Sequence, residues 1–503
     1  MSTNSRFKLK PLASQTKGEG NTKRTLLVTA LAMSIAIMLM TTPMLTRQAE
    51  AKPHTQTQAT FSLGNVSNFE TKIADWILNS GILQNNTVHE GVHYNASNNT
   101  WQLCNYTRID AQCEAALALL SHCKKTGNPA LKNTAITLLK QARADSLQTN
   151  NGEPWQCTTK NFYSCYTQDN GRQLRAYAYA AKETNDPEIT QTLTQLANFW
   201  TSQIPDHGGL GVGKDLYDNF LPDKYPCARH ISEMLVGMTQ TYETLNTITY
   251  RTASIKLGNW LTNNQFQNGT WKVPPRWAEP NYNGGVGNII EATSLSLWGL
   301  SELYKITGNN TYKTSATKAY NWILNQCIQT DNNWHLGRLP SEANRATDLR
   351  YFNTLYMQTP TALVSYYEHC NRTSSILELA LEITTFMCTT MTMHGNSLVE
   401  GGITGEWDLS QNTRSTYVDN EQMTWGDWIY TGWTNCETIE AITKMEPCKC
   451  DINKDGQINI LDLIKIATNL GWTGPPGTKP EDINQDGKIN VLDLIRVSKH
   501  LGW

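Results

Sequence analysis

Arg108-Ile-Asp-Ala-Gln-Cys-Glu-Ala-Ala-Leu-Ala-Leu-Leu-Ser-His-Cys-Lys124 reads as one helix, followed by the turn Thr126-Gly-Asn-Pro129 and a second helix over Ala130–Leu147. The first is apolar or small around most of its circumference, as in Ala115-Ala116-Leu117-Ala118-Leu119-Leu120. Other helices carry only an apolar stripe, as in Ile73-Ala74-Asp75-Trp76-Ile77-Leu78 and Tyr320-Asn321-Trp322-Ile323-Leu324. A helix that is apolar all round belongs inside a fold, and a striped one belongs on its outside. The quoted stretch is therefore a hairpin of one inner and one outer helix.

Working outward, the same alternation predicts helices over Ser67–Ser80, Arg108–Lys124, Ala130–Leu147, Asn170–Thr184, Pro187–Gln203, Arg229–Leu245, Tyr250–Asn264, Asn288–Thr307, Thr311–Gln326, Arg350–His369, Ser374–Met393 and Trp433–Lys444. Every second one is of the inner kind. Inner-to-outer links are short turns: Thr126-Gly-Asn-Pro129, Thr184-Asn-Asp-Pro187 and Thr307-Gly-Asn-Asn310. Outer-to-inner links are long, roughly 85–107, 148–169, 204–228, 265–287, 327–349 and 394–432, and loops of that length in a compact domain are usually functional. A helix pair recurring about every 60 residues is an internal repeat, and closing six pairs buries the inner members. The expected fold class is all-α, an (α/α)6 toroid over 60–447 with one plain face and one face of six long loops.

This organisation resembles the six-hairpin carbohydrate-active enzymes, which include glycoside hydrolases and some polysaccharide lyases. The resemblance is architectural, and no complete signature of a single glycosidase family is present. Several long links begin alike, with Gln148-Thr-Asn-Asn-Gly152-Glu-Pro-Trp155, Gln265-Phe-Gln-Asn-Gly269-Thr-Trp271 and Gln326 leading to Trp334. That turn resembles the repeat of terpenoid cyclases, another toroid, although capping an outer helix would select similar residues.

The N-terminal stretch has the make-up of a targeting segment rather than of a folded element. Arg6, Lys8, Lys10, Lys17, Lys23 and Arg24 form a basic region, Thr25 to Met40 is apolar, and Ala49-Glu50-Ala51 has small-x-small cleavage character. Residues 1–51 read as a signal peptide cleaved after Ala51, with an uncleaved signal anchor as the alternative. Either places the bulk of the chain in a secreted or extracellular, possibly cell-surface, location. Without that segment, 35 Lys and Arg remain of 42, against 42 Asp and Glu of 44. Nothing in that balance is a nucleic-acid footprint. Outside the cell the twelve cysteines could form disulfides, with Cys104–Cys113 and Cys157–Cys165 near enough in sequence to close small loops.

The last fifty or so residues repeat one pattern, Asp451-Ile-Asn453-Lys-Asp455-Gly456-Gln457-Ile458-Asn459-Ile-Leu-Asp462 and, 31 residues later, Asp482-Ile-Asn484-Gln-Asp486-Gly487-Lys488-Ile489-Asn490-Val-Leu-Asp493. Calcium takes six or more oxygens from a loop with ligands at positions 1, 3, 5, 9 and 12, a carbonyl at 7, here Gln457 and Lys488, and a sharp Gly at 6. Two Ca2+ ions are thus expected. Ile458 and Ile489 should enter a shared core, and short helices Leu461–Leu470 and Leu492–Leu501 should end at Gly471 and Gly502. Position 12 is Asp rather than Glu, and no good helix precedes either loop. Both departures resemble type I dockerins. The resemblance covers 450–503 and implies calcium-dependent folding and a cohesin partner on a scaffold or cell-surface protein. The positions that choose the cohesin in dockerins are Ile460-Leu461 and Val491-Leu492 here, apolar rather than hydroxyl-bearing.

Residues that begin the inner helices should converge on the loop face. Glycoside hydrolysis needs a carboxylic acid to protonate the leaving oxygen and a carboxylate to activate water or attack. Asp110 and Asp169, at helix starts where the macrodipole favours the anion, suit the second role; helix capping is the plainer reading of the same positions. Glu233 and Glu291, one turn in, suit the acid if burial raises their pKa, and Glu279 is another candidate. His230 with Arg229 supports a different chemistry, in which Arg or Asn neutralises a uronate and His or Tyr abstracts a proton, with Asn288, Arg350 and Tyr351 as further members. Trp277, Tyr282 and Trp425 are loop residues suited to packing on sugar rings. The leading expectation is a glycoside hydrolase acting on a polysaccharide or oligosaccharide. A polysaccharide lyase or epimerase acting on uronic acids, and a non-catalytic glycan-binding or cell-surface protein, are the alternatives.

Overall fold

The structure is a computed structural model. It describes residues 63–95, 100–104, 107–148, 165–211, 226–272, 287–327, 350–352, 357–389, 397–403, 430–453, 457–475, 478–483 and 486–498, with a few short pieces between them. The expected signal segment, Trp277, Glu279, Tyr282, Trp425, Asp455, Asn484 and Gly502 lie outside the described residues, as do the side chains of Cys157, Cys165, Asn288, Arg350 and Tyr351.

Six helices form an inner ring: α2 (Ile109–Thr126), α4 (Thr167–Thr184), α6 (Ala228–Leu245), α8 (Gly287–Thr307), α10 (Gln358–His369) and α12 (Gly432–Cys450). Each packs on the next, and α12 returns to α2, so the ring closes. The outer helices are α1 (Leu63–Asn79), α3 (Pro129–Asp145), α5 (Pro187–Gln203), α7 (Ile248–Asn263), α9 (Asn310–Trp322) and α11 (Ser374–Thr389), each lying on an inner partner, with α1 on α12. This is the (α/α)6 toroid. One continuous apolar core runs between the rings, with Trp76, Trp200, Trp271 and Trp298 almost wholly buried.

The short turns are built alike. Gly127, Asn185 and Gly308 take left-handed φ angles of 70°, 54° and 68°, stopping the inner helix. Asn128, Asp186 and Asn309 then cap the outer helix, accepting from the backbone N–H of Ala130, Glu188 and Thr311 at 2.9–3.0 Å. The Gln265 turn locks onto the next outer helix: its side chain donates to the Gly269 and Ser315 carbonyls and accepts from the Ser315 hydroxyl. Its likeness to the cyclase repeat thus follows from toroid packing.

Two expected helices change. The one drawn over Arg350–His369 begins at Gln358, and Arg350–Phe352 is a strand paired with Glu406–Asp408, Arg350 opposite Asp408 and Tyr351 opposite Trp407. Pro360 explains the start, because proline fits only the first turn of a helix. The helix drawn over Thr311–Gln326 passes after Trp322 into a π-turn, Ile323–Cys327. Cys104 and Cys113 are not joined by a disulfide, and Cys113 is a buried thiol on the inner ring.

Beyond the ring, α13 (Ile460–Ala467) and α14 (Val491–Ser498) pack together over a small core of Cys450, Ile452, Ile458, Ile466, Ile483, Ile489 and Val497. Both helices end earlier than expected, and Gly471, with φ +87°, donates across to the Ile489 carbonyl instead of capping α13. The expected junction near 447–450 falls inside α12, which runs unbroken to Cys450 and supplies a helix before the first loop.

Candidate active site

The long connections all feed the first turns of inner helices, so those turns share one end of the ring. Close approach of α4 and α6 is allowed by Gly171, where a Cβ would come within 2.5 Å of the Glu233 backbone carbon. That contact sets Arg172 beside Glu233. Ser232 on α6 hydrogen-bonds Ser296 on α8 at 2.7 Å, and Ser294 on α8 bonds Thr359 on α10 at 2.8 Å. Small polar residues thus zip the inner helices together and leave charged side chains as the long groups.

Those charges form a layered cluster. In the outermost layer, Arg108 binds Asp110 through two nitrogens at 2.9 and 2.8 Å, Asp169 at 3.0 Å and Glu90 at 3.2 Å. Asp110 and Asp169 share one Arg108 nitrogen, at 2.8 and 3.0 Å, so the two bound oxygens lie no more than about 6 Å apart. In the next layer, Arg172 bridges Asp110 at 3.3 Å, Glu114 at 3.2 Å and Glu233 at 3.8 Å. Deepest is Arg175, ion-paired to Glu114, Glu437 and Glu440 and 3.9 Å from Glu233. To one side, Glu291 accepts from Arg229 at 2.9 Å and from the Gln168 amide at 3.1 Å.

Burial divides the protons among these groups. Desolvation pushes Glu233 up to about 7, with Arg175 and Arg172 opposing and Glu437 and Glu291 adding to the rise. Glu90 is likewise pushed up to about 7 by burial against the pull of Arg108. Glu114 rises well above its ordinary value through burial and the Glu437 charge, whereas Glu437, despite burial, is held below its own by Arg175. Burial and the neighbouring Arg229 and Arg172 drive His230 well below the usual histidine range, so its imidazole is neutral, and Nδ1 has no hydrogen-bond partner in the protein.

Of the residues read as catalytic, Asp110, Asp169 and Glu233 are linked through Arg108 and Arg172, and Glu291 and His230 both contact Arg229. Glu90, Glu114, Arg175 and Glu440 were not singled out in the sequence. Three of them had a visible signal: Asp110/Glu114, Arg172/Arg175 and Glu437/Glu440 recur at helical spacing on inner helices, which marks a polar axial face. Glu90 had none, since it sits in a connection. In the terminal module, Asp462 accepts from the backbone N–H of Ile452, Asn453 and Asn459, and Asp493 from that of Asn490. Among the described residues no group of three His, Cys, Asp or Glu side chains converges on a metal-sized point.

No family model matches the chain, and no curated protein matches it either. Solved structures do. A D-mannose isomerase is 12% identical with a TM-score of 0.59, covering 78% of this chain and 99% of its own. A cellobiose 2-epimerase from Bacillus thermoamylovorans B4167 is 14% identical with a TM-score of 0.55, covering 75% and 99%. An unsaturated glucuronyl hydrolase specific for heparin is 11% identical with a TM-score of 0.55, covering 77% and 97%. At these identities the likeness is one of fold, and it is the toroid that they share.

Proposed function

We propose that the chain is a carbohydrate-active enzyme, a glycoside hydrolase whose reaction centre is the Arg108–Arg172 carboxyl cluster. The observation that carries the reading is that Glu90, Asp110, Asp169 and Glu233 are joined through Arg108 and Arg172 at the first turns of the inner helices. Glu233, with its proton retained to about 7, is suited to protonate the leaving oxygen. Asp169, the most exposed of the three Arg108 carboxyls at 9%, is suited to activate water or attack the anomeric carbon. Solved structures of similar fold include enzymes named for D-mannose, cellobiose and heparin, which supports a saccharide substrate. The test is a glycan panel read both for new reducing ends and for unsaturated uronate: hydrolysis yields only the first, and Asp169→Asn and Glu233→Gln should abolish it while leaving the fold intact. Binding without any product would favour a non-catalytic glycan-binding protein.

One observation favours a second reading. Neutral His230, with Nδ1 unpartnered beside Arg229, has the form of a base for abstracting a proton α to a carbonyl, as in a uronate lyase or epimerase. Unsaturated product lost in His230→Ala would establish it.

We further propose that the chain acts outside the cytoplasm and that its terminal module is a dockerin holding two Ca2+ ions and binding a cohesin. Asp451, Asp462, Asp482 and Asp493 are all buried in a module of about fifty residues, a desolvation cost that a divalent cation in each loop would offset. Asp451, Asn453, Asp455, Asn459 and Asp462 with the Gln457 carbonyl would hold one ion. Asp482, Asn484, Asp486, Asn490 and Asp493 with the Lys488 carbonyl would hold the other. The ions would fix the loops that aim α13 and α14. Calorimetric titration of the chelated protein with Ca2+ should show two sites; an absence of heat would remove this part of the proposal.

A further inference from the structure

Charge balance at the loop end bears on which saccharides can enter. Among the described residues, eight carboxyl groups meet four guanidiniums and the Lys444 ammonium in the axial cluster, and each of these cations is already paired with at least one carboxylate. Even if Glu90, Glu114 and Glu233 are counted as uncharged, five carboxylates face five cations, and none of the cations is spare. The connections 149–166, 212–225, 273–286, 328–356 and 404–429 add no excess of cations, since their sequences carry thirteen Asp and Glu against eight Lys and Arg.

A second observation concerns uncharged groups. Gln358, the first residue of α10, is 1% exposed, yet neither its Oε1 nor its Nε2 has a hydrogen-bond partner in the protein. Gln173 Nε2 and Thr361 Oγ1, both on inner helices, are buried and unpartnered too. Buried amides and hydroxyls are expected to be satisfied, so such groups mark where a ligand or water supplies the missing bonds. Amides and hydroxyls read sugar hydroxyls, whereas a uronate or sulfate taken out of water needs a cation to spare.

We propose that the site selects saccharides by charge, accepting neutral and amine-bearing sugar rings and excluding uronates and sulfated sugars. This rests on the glycoside hydrolase reading above, opposes the uronate lyase or epimerase alternative, and narrows the substrate class. The test uses the full chain in Ca2+ and length-matched oligomers of N-acetylglucosamine, glucosamine, mannose and galacturonate, with binding followed by calorimetry at low and high salt. Uronate oligomers should bind at least tenfold more weakly than neutral ones. The glucosamine series should weaken several-fold between about 20 and 300 mM salt, as attraction between partly screened charges requires, while neutral oligomers stay level. Glu291→Gln, which leaves the Arg229 cation uncompensated, should tighten uronate binding several-fold in protein whose circular dichroism is unchanged. Uronate binding equal to or tighter than neutral binding overturns the charge rule while leaving the saccharide reading standing. If no oligomer of any charge binds, the saccharide reading itself fails and the rule falls with it.

Discussion

Glu233 shows how one residue's chemistry is decided by what surrounds it. Both its oxygens are buried without a hydrogen-bond donor in contact, and two arginines nearly 4 Å away offset only part of the desolvation. Its folded pKa of about 7 lies above the unfolded 4.5. Stability from this proton is therefore fully present below 4.5 and is lost as pH rises through 7. Activity that needs the proton should decline over the same upper limb. Glu233→Gln should lower turnover by about 10²–10⁴-fold, erase the limb near 7, and flatten the fall in melting temperature between pH 5 and 8. An unchanged pH–rate profile would count against Glu233 as the acid. Arg108 is the opposite case, a buried cation whose partners depend on it. Arg108→Met strands Asp110, Asp169 and Glu90 together, and loss of a buried partner of this kind costs about 3–5 kcal/mol. Denaturant unfolding should show that loss, whereas a drop under 1 kcal/mol would mean the cluster is well solvated.

At the scale of elements, α12 carries the most consequences. It closes the ring between α10 and α2, brings Glu437 and Glu440 to Arg175, and runs on to Cys450, whose side chain lies in the terminal core. Asp451, the first residue of the first repeated loop, is the next residue, and its carboxylate also lies 3.9 Å from Arg372, in the link between α10 and α11. A helix shared by two cores transmits the order of one to the other. If the first loop binds Ca2+, then chelation, or Asp451→Asn alone, should lower the toroid's own melting transition by several degrees. Asp482→Asn in the second loop should leave it nearly unchanged. Equal effects from both variants would show that α12 does not couple the two parts. The inner and outer helices themselves were legible because burial on all sides, or on one, writes different periodicities into sequence. The short strands were not, because pieces of two to five residues bury no long periodic face.

On the whole molecule, most of the large exposed apolar side chains belong to the terminal repeat. Ile460, Leu461, Ile464 and Leu470 on one copy, and Val491, Leu492, Ile495 and Leu501 on the other, are 47–64% exposed, with Ile248, Phe266 and Leu324 the remaining cases among the described residues. Apolar side chains left exposed on both copies of one small module are what a partner-binding face would use. Leu461→Asp with Leu492→Asp should abolish capture by an immobilised cohesin while leaving Ca2+ binding and glycan turnover intact. Retained capture would place the partner surface elsewhere. These apolar positions could be read from the repeat, since a 31-residue period aligns them residue for residue. The helical hairpins and their turns were legible in the same way, because propensity and capping act within a few residues along the chain. The axial charge cluster was not. Asp110, Asp169, Glu233 and Glu291 each start or follow a helix start, and locally each reads as a cap or a buried acid. Which of them share an arginine, which keep a proton, and that Glu90 joins them, follows only once the ring closes and sets residues 60 to 260 positions apart within hydrogen-bond distance in a medium from which water is excluded.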